Sequence, residues 1–353
     1  MKILIAGGAG FVGSNLALSF KKRYPEYVIY CLDNLKRRGS ELNLPALKAS
    51  GVFFVHGDLR QPSDLEGVPD VDVVIDAAAE PSVLAGLSEG LDNLIGTNFN
   101  GTIHLLEFAK NCKAKFVFLS TSRVYPIQPL SEIAYSDAET RFTISPQQKT
   151  LGLSSNGISE EFILQGSRSF YGSSKLASEL FIEEYKQLAG LETIINRCGV
   201  ICGPRQMGKV DQGVVVLWVA KHFWRKNLAY IGFGGEGKQV RDILHIEDLF
   251  ELLDLQIHEF DIFNGGVFNV GGGYENSISL LEMTAICQEI TGNKIKIDSI
   301  AETRSADIPI YITDNTKIHS ACKWRPTKDV RTTFQEIHDW LRANEDFLRP
   351  ILA

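Results

Sequence analysis

The chain opens on Lys2-Ile3-Leu4-Ile5-Ala6, a short, unbroken apolar run of the kind a parallel strand buried on both faces requires. Glycines follow, then an amphipathic stretch with the helical period over residues 11–24. The alternation then repeats. Residues 27–32 read as a second strand running into Asp33-Asn34, and 52–56 as a third closed by Gly57-Asp58. Residues 71–77 read as a fourth and 115–120 as a fifth, with helical patterns between them. Strands alternating with helices predict an α/β fold built on a doubly wound parallel sheet. Right-handed crossovers place the strand ends along one edge.

Past residue 195 the pattern loosens. Strand-like pieces at 229–233, 267–270 and 294–297 are mixed with helical ones at 214–224 and 280–291. The expectation is a first domain over 1–195 and a smaller C-terminal α/β substrate domain over 196–353, some of whose segments return to the first sheet. Residues 126–170 are polar with weak periodicity, and a stretch of that length inside a compact domain reads as a lid-like insertion. The apolar run at 214–224 includes Trp218 and Trp224. Lys221, His222 and Arg225 interrupt or cap it, and it is too short to span a bilayer, so it reads as core or subunit-interface packing.

Composition narrows the class. With 44% hydrophobic and 22% charged residues among 353, the chain has ordinary globular usage rather than that of a disordered one. A formal charge of −7 argues against a protein that coats nucleic acid. No apolar run reaches membrane-spanning length, and the N-terminal apolar residues are too few for a signal-peptide core. These features predict a soluble cytoplasmic protein with no nucleic-acid or membrane partner. The six cysteines form no CxxC pair, and the seven histidines show no ligand spacing; reduced thiols and no metal site are expected.

Gly7-Gly8-Ala9-Gly10-Phe11-Val12-Gly13 follows the first strand directly and opens the first helix. Glycines there allow a tight turn, close approach of backbone to a pyrophosphate and close helix–sheet packing. The motif alone is weak; here it has the strand–turn–helix context and an acid, Asp33, twenty residues past Gly13. An acid at that place accepts from ribose hydroxyls and repels a 2′-phosphate, which favours NAD over NADP. Lys36, Arg37 and Arg38 read as a solvated basic turn. Asp58, ending the third strand, is placed to meet an adenine amine. Ala77, Ala78 and Ala79 are small enough for a cofactor to pass.

Two further features concern chemistry. Tyr171 and Lys175, four residues apart on a predicted helix, share a face, and a lysine charge near a phenol makes the phenolate a usable base. Ser120-Thr121-Ser122 ends the fifth strand, where a hydroxyl can reach a substrate hydroxyl. Each is commonplace alone; in this order, behind the glycine turn, they are specific.

On these residues the chain resembles the extended short-chain dehydrogenase/reductase family, the nucleotide-sugar epimerases and dehydratases with a Rossmann sheet, over nearly its whole length. The resemblance implies that Gly7, Gly10, Phe11, Val12, Gly13, Asp33, Asn34, Asp58 and Leu59 hold NAD, together with Ala77, Ala78, Ala79, Asn98, Ser120, Tyr171, Lys175 and Cys198. Cys198 stands where similar epimerases tend to carry a histidine. It also implies that Tyr171 is the proton acceptor, Thr121 orients the sugar hydroxyl and Lys175 holds the nicotinamide ribose. A homodimer or homotetramer is implied as well.

Dehydratases and decarboxylases of this family carry an acid just after the threonine; here Ser122-Arg123 follows, which points to epimerisation. Gly203-Pro204-Arg205-Gln206, Asp211-Gln212-Gly213 and Gly237-Lys238-Gln239-Val240-Arg241-Asp242 resemble segments of the epimerases that invert C2 of CDP-paratose and CDP-tyvelose. By that likeness Arg241 and Arg304 grip the diphosphate of a nucleotide sugar, a CDP-sugar being favoured, and guanidinium forks suit phosphate oxygens. Gln206, Gln212 and Gly213 would meet the sugar or base, and Arg123 either lines the sugar pocket or is a plain loop charge. The competing expectation is a 4-epimerase or 4-reductase of a UDP- or GDP-sugar. A cofactor-sensing scaffold is a third, disfavoured because such relatives tend to lose the Tyr/Lys pair.

Overall fold

The computed structural model describes residues 1–82, 86, 90–208, 212–304 and 306–353. The chain forms two compact units. The first comprises Met1–Val124, Phe170–Arg197 and Leu249–Phe268; the second comprises Tyr125–Ser169, Cys198–Asp248 and Asn269–Ala353.

The first unit is built on the predicted α/β sheet. Strands β1 (Lys2–Ala6), β2 (Val28–Asp33), β3 (Phe53–His56), β4 (Val73–Asp76) and β5 (Lys115–Thr121) all form. With Thr193–Cys198 and Gly266–Val270 they make a seven-stranded sheet. Its order is Gly266–Val270, Thr193–Cys198, β5, β4, β1, β2, β3. The chain order reverses between β1 and β4, which makes their carboxyl ends the topological switch point where ligands of such sheets sit. Ile3, Leu4 and Ile5 have no exposed surface, in keeping with the two-sided burial read from their run.

Thr193–Cys198 did not read as a strand because Asn196 and Arg197 interrupt its apolar pattern. Both are buried, and each has a partner: Asn196 and Gln256 exchange hydrogen bonds at 2.8 and 2.9 Å, and Arg197 pairs with Glu179.

In the second unit a four-stranded sheet joins Val200–Cys202, Val240–His245, Ser277–Ser279 and Ile310–Tyr311. Helices Val214–Phe223, Leu280–Thr291 and Val330–Ala343 pack together. Trp218 is buried there, its indole N–H donating to Thr284 Oγ1 at 3.0 Å. The expected strand at 294–297 instead occupies Ile297–Ile300, in parallel with Leu228–Ile231. Apolar and polar residues alternate from 294 to 298 and the polar pair Asp298-Ser299 then breaks the alternation inside the strand, so pattern alone did not fix the strand ends. The insertion is not structureless. It holds the antiparallel pairs Tyr135–Asp137 with Phe142–Ile144 and Leu153–Ser154 with Gly157–Ile158. Among the described residues no helix is long and apolar enough to cross a membrane.

Candidate active site

The glycine turn sits at the end of β1. Gly7 N–H and Gly8 N–H both donate to Leu32 O, at 2.9 and 3.1 Å. Gly7 has φ +71°, and a Cβ there would lie 2.9 Å from Ala78 Cα, so Ala77-Ala78 leave room only for glycine. A Cβ on Gly13 would lie 2.3 Å from Gly7 O. The helix α1 (Phe11–Arg23) starts here with Gly10 at its N-cap, no side chain capping it and no acid in its first turn. Its amide dipoles therefore present an unneutralised positive end beside Phe11, Val12 and Gly13. A cradle without side chains facing a bare helix N-terminus fits a dinucleotide pyrophosphate.

Asp33 ends β2, and its carboxylate braces this turn. Oδ2 accepts from Ala9 N–H at 3.0 Å and Oδ1 from Leu35 N–H at 2.8 Å. Burial raises its carboxyl above the usual range, opposed by those amide donors. Remaining lone pairs on each oxygen can still accept from ribose hydroxyls. Asn34 Nδ2 donates to Asp58 Oδ2 at 3.1 Å. Asp58 is engaged by a residue the sequence reading passed over: Arg60 Nε donates to both of its oxygens, at 2.9 and 3.1 Å. That fork holds the Asp58 carboxyl well below the usual carboxylate range. Any adenine contact at Asp58 is therefore shared with a guanidinium. Leu59 is buried, its carbonyl meeting His104 Nδ1 at 2.6 Å.

Asn98 lies in one wide π-type turn, Gly96–Asn100, a local widening often found at functional sites. It is fully buried. Its Oδ1 accepts from Glu80 N–H at 2.7 Å, while Nδ2 donates to Glu80 O at 3.1 Å and to Ser174 Oγ at 3.2 Å. Both amide protons are thus taken, and Asn98 clamps the segment after Ala79 to the helix Phe170–Ala189. Ser174 Oγ in turn donates to Tyr171 O at 2.8 Å.

That helix carries Tyr171 and Lys175 four residues apart, and it packs on β5. Lys175 is 2% exposed, its ammonium 3.8 Å from the centroid of the Phe118 ring. Asp76, at the end of β4, is a buried carboxylate of this region and was not singled out from sequence. It accepts from Thr102 Oγ1 at 2.8 Å and Ala78 N–H at 3.2 Å; burial raises its carboxyl and the Lys175 charge opposes that shift. Thr121 ends β5, with Oγ1 accepting from Arg123 N–H at 3.1 Å. Arg123 itself stands in the single turn Ser122–Val124. Ser120 Oγ donates to Glu179.

The remaining expected site residues belong to the second unit. Cys198 is buried there. Gln206 and Gly213 come together: Gln206 Nε2 donates to Ile201 O at 3.0 Å, and a Cβ on Gly213 would lie 3.3 Å from Gln206 Cδ. Gln212 adjoins them, and Asp211 lies outside the described residues. Arg241 stands on the strand Val240–His245, donating from Nη1 to Val240 O and from Nη2 to Ile308 O, both at 2.7 Å. Arg304 lies on the segment that leads into the neighbouring strand, Ile310–Tyr311. His245, Glu247 and Glu336 bring metal-type ligand atoms together, but the Lys328 ammonium already lies against both carboxylates, 3.0 Å from Glu247.

Residues 3–271 match the family model described as the NAD dependent epimerase/dehydratase family. The chain belongs to that family. NAD is the family's cofactor, in keeping with the glycine cradle and the bare helix start. Among its relatives, a CDP-paratose 2-epimerase of Salmonella typhi is 32% identical over 348 residues, covering 96% of this chain and 99% of that one. The solved dTDP-glucose 4,6-dehydratase of Bacillus anthracis, in complex with NAD, is 28% identical with a TM-score of 0.77, and the match covers 99% of each chain. The UDP-glucuronic acid 4-epimerase of Bacillus cereus shares the fold at a TM-score of 0.79 and 23% identity, covering 97% of this chain and 99% of that one. Family members thus act on different sugars and at different carbons, and the family alone does not select among them.

Proposed function

We propose that this protein is an NAD-dependent epimerase that inverts C2 of a CDP-linked 3,6-dideoxyhexose, interconverting CDP-paratose and CDP-tyvelose in the cytoplasm. The observation that carries the reading is the end-to-end likeness to a CDP-paratose 2-epimerase. Ser122-Arg123 after Thr121 supports it, because no carboxylate stands there to assist elimination of water or loss of CO2.

In this reading Gly7, Gly10 and Gly13 admit the pyrophosphate to the N-terminus of α1, and Asp33 faces the ribose. The nicotinamide supplies a reversible hydride acceptor. Tyr171 takes the proton of the C2 hydroxyl and gives it back once the sugar presents its other face. Lys175 keeps a positive charge beside the phenol, which favours the phenolate. Thr121 orients the hydroxyl by a hydrogen bond, so the site's contribution is positioning and electrostatics. Arg241 and Arg304 hold the diphosphate, while Gln206, Gln212 and Gly213 meet the sugar or base. Leu180, Phe181 and Leu188 are exposed apolar residues of the Phe170–Ala189 helix and would form the contact of a homodimer.

Proton NMR of the purified protein with no added coenzyme tests the reading. It is mixed separately with CDP-paratose, CDP-tyvelose, UDP-glucose and UDP-galactose. Approach to one equilibrium mixture from either CDP sugar is expected. Conversion only between the UDP sugars would move the chemistry to C4 and discard the substrate; silence rescued by NADPH would make the protein a reductase.

A further inference from the structure

Tyr171, Lys175 and Glu179 stand at successive four-residue steps of the helix Phe170–Ala189 and share one face. Glu179 is 5% exposed, and a carboxylate so deeply buried is tolerated only if its oxygens are matched. They are matched from two adjacent strands. Arg197, on the strand Thr193–Cys198, donates to Glu179 Oε2 from Nη2 at 2.7 Å and from Nε at 3.0 Å. Ser120, on the neighbouring strand β5, donates its hydroxyl to Oε1. Ser120 immediately precedes Thr121. One carboxylate therefore ties the end of β5 and the end of the next strand to the helix that carries Tyr171 and Lys175.

We propose that Glu179 and Arg197 are positioning residues for this catalytic face, fixing Thr121 against the Tyr171–Lys175 helix and cancelling each other's charge beside it. The proposal rests on the roles given above to Thr121, Tyr171 and Lys175. Among the described residues, the buried charged groups of this face include Lys175 and Glu179 of the helix, Arg197 of its strand and Asp76 of β4. Removing one member of the Glu179–Arg197 pair leaves the other uncompensated in a medium that screens it poorly. The two removals then act on the Tyr171 phenol in opposite senses. A purely structural pair would weaken folding in both variants and leave the phenol's titration alone.

The test is a pH titration of NAD-loaded protein labelled with 13C at the tyrosine ζ carbon, the Tyr171 resonance being the one missing in Tyr171→Phe. Glu179→Gln leaves Arg197 without its counter-charge, one net positive charge on this face, and its Tyr171 midpoint is expected to fall by about one pH unit. That is the size set by one charge removed about 12 Å away, eight residues along the helix, at an effective dielectric of about 20. Arg197→Met leaves an unbalanced anion, and its midpoint is expected to rise by a similar amount. Arg197→Lys keeps the charge and is expected to restore the parent midpoint. Arg197→Met is the variant at risk of not folding; the nearly isosteric Glu179→Gln then decides alone. Unmoved midpoints in folded variants, or shifts of one sign in both, overturn the proposal. The titration uses no substrate, so a parent that leaves CDP sugars unchanged would remove the substrate reading without touching this result.

Discussion

The Lys175 ammonium lies 3.8 Å from the centroid of the Phe118 ring, so a buried cation on an aromatic face keys the Tyr171 helix to β5. A desolvated contact of this kind contributes about 2 kcal/mol. Phe118→Leu keeps an apolar side chain of similar bulk and removes the ring's negative face. Its kcat is expected to fall roughly tenfold, a loss of about 1.4 kcal/mol at the barrier, with KM for the sugar within about twofold of the parent. Lys175→Met removes the charge itself. It is expected to cost more than about a hundredfold in kcat and to move the acid limb of the pH–rate profile upward by about one unit. Steady-state pH profiles of the three proteins check both statements; an unmoved limb in Lys175→Met would separate the lysine from the proton transfer.

Asp33 braces the glycine turn, and in the proposed reading it also faces the cofactor ribose. In Asp33→Ala the amides of Ala9 and Leu35 both lose a charged acceptor. Such a loss costs about 2 kcal/mol in folding, and a similar loss on the ribose side weakens NAD roughly thirtyfold. Thermal unfolding without NAD and a fluorescence titration with it measure the two separately. A variant with weaker NAD binding and unchanged apo stability would reduce Asp33 to a ribose ligand alone.

The sequence made the first unit legible where physics leaves little choice. A parallel strand buried on both faces must be apolar throughout, and β1, β4 and the middle of β5 announced themselves in that way, whereas β3, at the sheet edge, showed only as a short apolar run. The glycine turn was legible because at Gly7 and Gly13 a side chain has nowhere to go. Where buried polar groups are satisfied by partners far along the chain, the same logic fails. Arg197 and Glu179 lie 18 residues apart and Asn98 and Ser174 lie 76 apart, so each looks like an ordinary polar residue until the fold pairs them. The i+8 spacing of Tyr171 and Glu179, and the Asn196-Arg197 pair interrupting an apolar run, were the signals available. The insertion's polarity read as a loop because its hairpins are short, the first held by side chains from Ser277–Ser279 and the helix after it and the second by backbone hydrogen bonds between Ile158 and residues 312–314.

Arg141 is that hold. Its Nε donates to Glu282 Oε1 at 2.8 Å, its Nη1 to Ser277 Oγ at 2.9 Å and its Nη2 to Ser277 O at 2.7 Å. Glu282 also accepts from Thr140 Oγ1 at 2.7 Å and, in a capping box, from Ser279 N–H at 3.0 Å. Glu282→Ala removes the reciprocal half of the capping box and the ion pair together, leaving the Ser279 N-cap bond in place. The expected loss is about 2 kcal/mol, since both side chains are about a quarter exposed and solvent screens part of the pairing. Limited proteolysis should then cut the 134–150 segment several times faster than in the parent. Equal cleavage rates would mean that the hairpin is held by its apolar contacts instead.

Asp242 carries a pH signature of its own. It has no exposed surface, and Oδ2 accepts from Gly273 N–H at 3.0 Å. Burial raises its carboxyl from 3.8 to about 6, against the hydrogen bonds that favour the anion. The native state thus holds this proton more tightly than the unfolded chain does. Its contribution to stability is complete below about pH 4 and is lost as pH rises through about 6, a change of about 3 kcal/mol. Asp242→Asn keeps an acceptor for Gly273 and has nothing to titrate. Urea unfolding of parent and variant between pH 4 and pH 7.5 should show the variant gaining on the parent by about 2 kcal/mol, with most of the gain between pH 4 and pH 6. Stability curves that run parallel across the range would mean that the buried carboxyl does not bind its proton more tightly in the folded protein than in the unfolded chain.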